Sequence, residues 1–312
     1  MVRLIYGLLL LVLASLSGAS AAPDVVVSLK PLHSVVASVM EGVAEPYLLL
    51  TGSETPHSFA LKPSHARELQ RADAVFWVGP QLEPFLINPI KTLAKGATIV
   101  GFARSVPLLP NRKEGLWTHS GQHGGNAAQT HGVAHGHGKF DPHFWLDPVR
   151  VRHIVPEIVQ TLSEIDPAHA ANYGANGVRL DRRLKGLHHE LEAITAPVRE
   201  VPYLVLHDAY QYFEARYRLG AVGSFVLNPE SGPSVRRIAS IRRIIVNNNI
   251  RCVFREPQLP QLGLSAVTDM AELRIDELDP LGATHIPGPD AYFEILASLA
   301  RNLAGCLKSD ER

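Results

Sequence analysis

The chain has 312 residues, 46% of them hydrophobic, with 30 Lys plus Arg set against 30 Asp plus Glu. That balance leaves no electrostatic footprint for nucleic acid or for an anionic membrane surface, and the apolar share is that of a globular protein rather than a disordered one. Once an N-terminal leader is removed, about 290 residues remain, enough for two domains or one large one.

The leader is residues 1–22. Met1-Val2-Arg3 supplies a positive charge, Leu4 to Leu16 is almost entirely apolar, and Ala19-x-Ala21 fits a signal-peptidase site. The apolar stretch falls short of the roughly 20 residues of a membrane span, and no Cys follows it to carry a lipid anchor. The mature chain is therefore expected to begin near Ala22 or Pro23 and to be exported.

Asp24 to Leu29 (DVVVSL) is a buried-strand run, followed by a helix from Pro31 to Met40. Tyr47 to Leu50 is a second strand, ended by the turn signal Thr51-Gly52-Ser53. Ser64 is placed to cap a helix running through Ala72, and Ala74 to Val78 reads as a core strand closed by Gly79-Pro80. Thr98 to Phe102 is a further strand. Residues 111–139 break the alternation: SGQHGGNAAQTHGVAHGHG has almost no large apolar side chains to offset its ordering entropy, and so reads as a mobile loop. A long helical stretch from Pro167 to about Ala193 would span on the order of 40 Å, which suits a strut between two lobes. Strands at Tyr203–His207 and Arg251–Phe254 then alternate with helices at Asp208–Tyr217, Ser234–Asn247 and Asp290–Leu307. The expected fold is α/β: two βα lobes with mainly parallel sheets, joined by a long rigid helix. The expected division is an N-terminal lobe over residues 23–160 that includes the His-rich loop 119–139, a linking helix over 161–195, and a C-terminal lobe over 196–312. No internal repeat is visible in the sequence.

The two cysteines, Cys252 and Cys306, are most simply a disulfide in an exported chain; a metal thiolate would need soft ligands close by in sequence, and none are there. Of 15 histidines, six fall between His119 and His143. His57 lies in a loop just after a strand, His143 directly follows the His-rich loop, and His207 ends the YLVLH strand. Ligands of α/β sheets collect at the carboxyl ends of strands, and three neutral imidazoles plus one further ligand complete a zinc tetrahedron. Spacing alone leaves each of these histidines more easily read as a surface or capped residue than as a ligand. A three-histidine zinc ion with an open position also describes a catalytic site, so a zinc hydrolase or lyase stands as an alternative. Against it, His189-Glu190-Leu191-Glu192-Ala193 fails the HExxH pattern at its last position, and there is neither a G-x-S-x-G elbow nor a P-loop.

At these histidines the chain resembles a known family, the ZnuA-type periplasmic zinc-binding proteins of ABC importers. The resemblance rests on PHxFxLKPS at Pro56–Ser64, LQRAD at Leu69–Asp73, FWVGPxLEPF at Phe76–Phe85, HFWLDP at His143–Pro148 and LHDAY at Leu206–Tyr210. It continues through YFE at Tyr212–Glu214, NPExxP at Asn228–Pro233, CVFxEPQ at Cys252–Gln258 and LDPLG at Leu278–Gly282. It implies a metal held in the cleft between two lobes, with His57 and His143 from the first and His207 from the second. Some zinc members place Glu before the first histidine, where this chain has Pro56, so the fourth ligand is expected to be Asp279 or a water. The resemblance also implies Zn²⁺ as cargo, a periplasmic location, and delivery by a monomer to an importer's membrane permease with its cytoplasmic ATPase, without catalysis. His207 stands where manganese relatives carry Glu, and imidazole-rich sites suit Zn²⁺ or Cu²⁺ better than Mn²⁺. A manganese-binding homologue and a zinc-buffering adhesin stand beside it as two further readings. His119, His123, His131, His135 and His137 are expected to gather zinc as weak, exchangeable ligands near the cleft.

Overall fold

The computed structural model describes residues 21–112, 117, 139–226, 229, 232–261, 263–270 and 273–308. Residues 1–20 of the leader and the five loop histidines from His119 to His137 lie outside the described residues.

The first sheet is built from β1 (Val25–Leu29), β2 (Tyr47–Leu50), β3 (Ala74–Trp77) and β4 (Thr98–Gly101), all parallel, in the order β2-β1-β3-β4. β1 and β3 are buried along their whole length, as strands covered on both faces must be, and this is why VVVSL and AVFW read as unbroken apolar runs. Helices α1 (Lys30–Met40), α2 (Pro63–Arg71) and α3 (Ile87–Thr92) make the crossovers. Ser64 does not cap α2: the cap is Lys62, whose backbone N–H donates to His65 Nδ1, because Pro63 occupies the first helical position and the helix starts two residues earlier. Then α4 (Pro148–Ile165), capped by Asp147 accepting from Val149 N, leads through a 3₁₀ turn at Pro167–His169 into α5 (Ala170–Thr195). At 26 residues, α5 is about 39 Å long.

The second sheet repeats the first. β5 (Pro202–His207), β6 (Gly220–Val226), β7 (Cys252–Arg255) and β8 (Arg274–Glu277) are again all parallel, in the order β6-β5-β7-β8, with α6 (Gln211–Tyr217) and α7 (Val235–Asn247) between them. The two sheets therefore share one topology that the sequence does not announce. The final helix, α8 (Ala291–Lys308), packs back on α1 and α5, so the chain's end is built into the first half of the molecule. There Tyr292 N donates to Ser34 Oγ at 2.9 Å and Tyr292 Oη to the Trp145 carbonyl at 2.7 Å. One apolar core runs from β1 and α1 through α4, α5 and α8 to Tyr203, Val205 and Phe254 of the second sheet. Alternate residues of β5 point the other way. Leu204 and Leu206 join a smaller core with Val253, Ile241 and Ile245, beneath α7. Among the described residues no helix is long and apolar enough to cross a membrane.

Candidate metal centre

Three chain segments bring histidines into the cleft, and each is held by local chemistry. The loop after β2 turns at Gly52, whose φ of +99° suits glycine and where a Cβ would stand 2.6 Å from the Leu281 carbonyl. Gln258 Nε2 donates to the Gly52 carbonyl at 2.7 Å, and Thr55 Oγ1 accepts from His57 N at 3.3 Å, so His57 is carried on a loop pinned against the second lobe. His143 precedes the 3₁₀ turn Phe144–Leu146. Asp141 Oδ1 accepts both its backbone N–H, at 2.9 Å, and its ring Nδ1, at 2.7 Å. A ring whose Nδ1–H is taken by a carboxylate presents the Nε2 lone pair, the usual orientation of a metal-binding imidazole. His207 is the last residue of β5, and Glu256 follows β7, the neighbouring strand. This places them at the carboxyl edge between β5 and β7, where the chain's strand order switches direction. His207 Nδ1 faces Glu256 Oε1 at 3.4 Å, both side chains buried.

The three rings meet. Centroids lie 5.8 Å apart for His57–His143, 5.3 Å for His57–His207 and 5.2 Å for His143–His207, with one donor atom of each within 4.8 Å of the others. Around a zinc at about 2.0–2.1 Å from each nitrogen, tetrahedral donors stand roughly 3.4 Å apart, so modest ring movements would close the set. The rings border a cavity of about 20 Å³, walled by Trp145, Ala209, Leu259, Pro280 and Leu281 as well as by Glu256 and Gln258. That is room for one ion or one water, not for an organic substrate.

The comparisons with known proteins agree in one direction. Residues 25–306 match the family model described as zinc-uptake complex component A, periplasmic (ZnuA). The chain belongs to the ZnuA family. It is 40% identical to the high-affinity zinc uptake system protein ZnuA of Brucella abortus, over 95% of this chain and 96% of that one. It is 33% identical to the ZnuA of Yersinia pestis, over 92% of each. In fold it matches a crystal structure of ZnuA at a TM-score of 0.77 and 22% identity, covering 92% of this chain and all of that one. A Streptococcus agalactiae laminin-binding protein, described as bifunctional with adhesin and metal-transporting activity, matches at a TM-score of 0.74 and 20% identity.

Around the ZnuA-type trio lies an unusual density of buried acid. Burial pushes the Asp141 carboxyl up to about 7, against the opposing hydrogen bond from His143 and the charge of Arg112. Burial alone would lower His207, but Glu256, then Asp208 and Asp141, outweigh it and the net displacement is upward. Arg112, from the strand-like stem of the loop, answers two of these acids: Nη1 to Asp208 at 3.0 Å and Nη2 to Glu214 at 2.6 Å. A site so lined is built for a cation.

Asp279 is not brought to the trio. Its Oδ1 accepts from Gln258 Nε2 at 2.6 Å, Leu281 N at 3.0 Å and Gly282 N at 2.7 Å, and its Oδ2 from Ala283 N at 2.5 Å. The carboxylate closes the turn that forms the cleft wall: Pro280 and Leu281 line the cavity, and Asp279 itself does not. Asp208, next to His207, pairs with Arg112, and α6 starts only at Gln211. Trp145 lines the cavity as a wall, with Nε1 donating to the Pro280 carbonyl at 2.9 Å, whereas Tyr210 lies behind it, bonded to the Leu278 carbonyl. Cys252 and Cys306 form a disulfide across 54 residues, joining β7 to α8. Sequence reading passed over Asp141, Glu256, Gln258 and Arg112. Asp-x-His at 141–143 and the Glu-Pro-Gln after β7 were the available signals.

Proposed function

We propose that this chain binds one Zn²⁺ through His57, His143 and His207 and delivers it, in the periplasm, to the membrane permease of an ABC importer whose ATPase lies in the cytoplasm. The observation that carries the reading is the convergence of three imidazoles, drawn from both lobes, on a cavity the size of one ion. Three nitrogen donors suit zinc better than manganese. With Asp279 engaged by its own turn, a water is the better fourth ligand, and Asp141 and Glu256 hold His143 and His207 in place from behind. The names of the relatives, zinc uptake system proteins, support the assignment of cargo.

Catalysis fits poorly. A hydrolase would need a carboxylate free to act as general base, but Asp208 is paired with Arg112 and Asp279 accepts the N–H groups of its own turn. Release must come from lobe tilting or loop movement. α5, α8 and the shared core tie the lobes together, so small tilts are expected rather than wide hinge closure. The test is metal analysis of the natively purified protein with chelator competition among Zn²⁺, Mn²⁺ and Cu²⁺, paired with small-angle scattering. Expected are tight zinc binding, a higher melting temperature on loading and an almost unchanged radius of gyration. Preference for manganese, or marked compaction on loading, would overturn the reading.

A further inference from the structure

A second set of metal-type donors lies on α5, outside the cleft. His188, His189 and Glu192 bring one donor atom each within 4.8 Å of one another. Helix geometry makes the cluster: Glu192 stands four residues after His188 and three after His189, so one turn sets its carboxylate against both rings. The two imidazoles lie 5.3 Å apart, centroid to centroid, and tilted by 39°.

His188 is not an ordinary surface histidine. Its Nδ1 lies 3.3 Å from the hydroxyl of Tyr217, and the Tyr217 ring, itself fully buried, stands 5.8 Å away at 32°. An Nδ1–H given to that phenol oxygen leaves Nε2 with the lone pair, and the neighbouring ring restrains the imidazole. Tyr217 thus stands at the same ring nitrogen of His188 that Asp141 occupies at His143, at a longer distance and as a phenol in place of a carboxylate. The competitor is weak. Arg199 reaches Glu192 at 3.2 Å, but the pair is exposed, and such pairs contribute little.

We propose that His188, His189 and Glu192 form a second, weaker site for a divalent transition ion of the zinc, nickel or copper type on the solvent-facing side of the linking helix. Two imidazoles and one carboxylate leave open positions for water, and the site is far more exposed than the cleft. It fills only after the cleft is saturated. All the donors sit within five consecutive residues, so an ion there clasps one helical turn and leaves the angle between the lobes unchanged.

The test uses the full chain and its His189→Ala and Glu192→Gln variants, dialysed to equilibrium against rising Zn²⁺, with zinc-edge anomalous diffraction from wild-type crystals grown in excess zinc. Histidines of the 119–137 segment are common to all three proteins and cancel in the difference. Each variant should bind one zinc fewer per chain at saturation, with its cleft affinity unchanged in a chelator-competition assay, and the wild type should show anomalous density between His188 and His189. Equal stoichiometry in all three proteins, or anomalous density absent from α5, overturns the second site without touching the cleft assignment.

Discussion

The two lobes share a strand order but solve the problem of buried acid in opposite ways. In the first, Glu83 is fully buried, with Oε2 accepting from Gly79 N at 3.0 Å and no basic partner among the described residues, and burial pushes its carboxyl up to about 7. There the charge is avoided by holding a proton. In the second, Asp208 and Glu214 are also raised by burial, but Arg112 reaches across from the first lobe and pairs with both. Glu83 is not among the residues that line the cleft cavity, so a neutral acid there leaves the charge around the histidines unaltered. The second lobe keeps a charged network beside His207, where a cation is to be held. The lobes differ in cross-linking too. The first lies wholly within the large core, whereas the second adds a small separate core beneath α7 and a disulfide.

The largest expected effect breaks that disulfide. By loop entropy, releasing the 54-residue closure costs about 4 kcal/mol. Cys252→Ser with Cys306→Ser should lower the melting temperature by many degrees. If melting is unaffected, the second lobe does not depend on its staple as the comparison holds. Next comes the metal trio. Removing one ligand from a zinc site that contributes on the order of 10–16 kcal/mol over its ligands should weaken binding about a hundred- to a thousandfold. His207→Ala, in a buried strand end, should lose at least as much as His57→Ala, on a half-buried loop that can adjust. Chelator competition reads both, and the reverse ranking would make the first lobe the principal holder.

Most of the fold was legible because parallel strands buried on both faces write themselves as apolar runs: VVVSL, AVFW and YLVLH were each found within a residue or two. β6 and β8 were not, for physical reasons. Gly220 and Gly223 dilute β6, and β8 is a four-residue edge strand, Arg-Ile-Asp-Glu, whose three charged side chains are half-buried while Ile275 is exposed, so it shows no apolar run. α4 was hidden by Pro156 within it. The three histidines became legible through their flanking motifs, not their spacing. Their supporting acids did not, since Glu256 is separated from His207 in sequence by nearly 50 residues and only strand pairing joins them. The repeat of topology is likewise a property of hydrogen-bonding order, which the residue pattern does not carry.

The buried carboxyl of Glu83 makes the stability of the first lobe depend on pH. Its folded carboxyl, at about 7, holds a proton more tightly than the free group at 4.5. Its contribution to stability is therefore fully present below about pH 4.5 and is lost as pH rises through 7, amounting to about 3 kcal/mol by pH 8. Glu83→Gln, neutral at every pH, should match wild type at pH 4.5 and exceed it by up to that amount at pH 8 in urea unfolding. A wild-type advantage at pH 8 would mean that the carboxylate is compensated there after all, and that the contrast between the lobes fails.

The smallest effect expected is at Asp279, and it decides what that residue is for. If its carboxylate belongs to the turn, Asp279→Asn keeps one carbonyl oxygen for the Leu281 and Gly282 N–H groups and forfeits the charge-assisted part of those bonds. Stability should fall by about 1 kcal/mol, and zinc affinity should change less than about threefold, because the cleft wall relaxes only slightly. If Asp279 were instead the fourth ligand, the same change would remove a donor from the metal and weaken binding by orders of magnitude, as at His207. Paired measurements of zinc competition and urea unfolding on this one variant separate the two. A large affinity loss with little loss of stability would return Asp279 to the metal and displace the water.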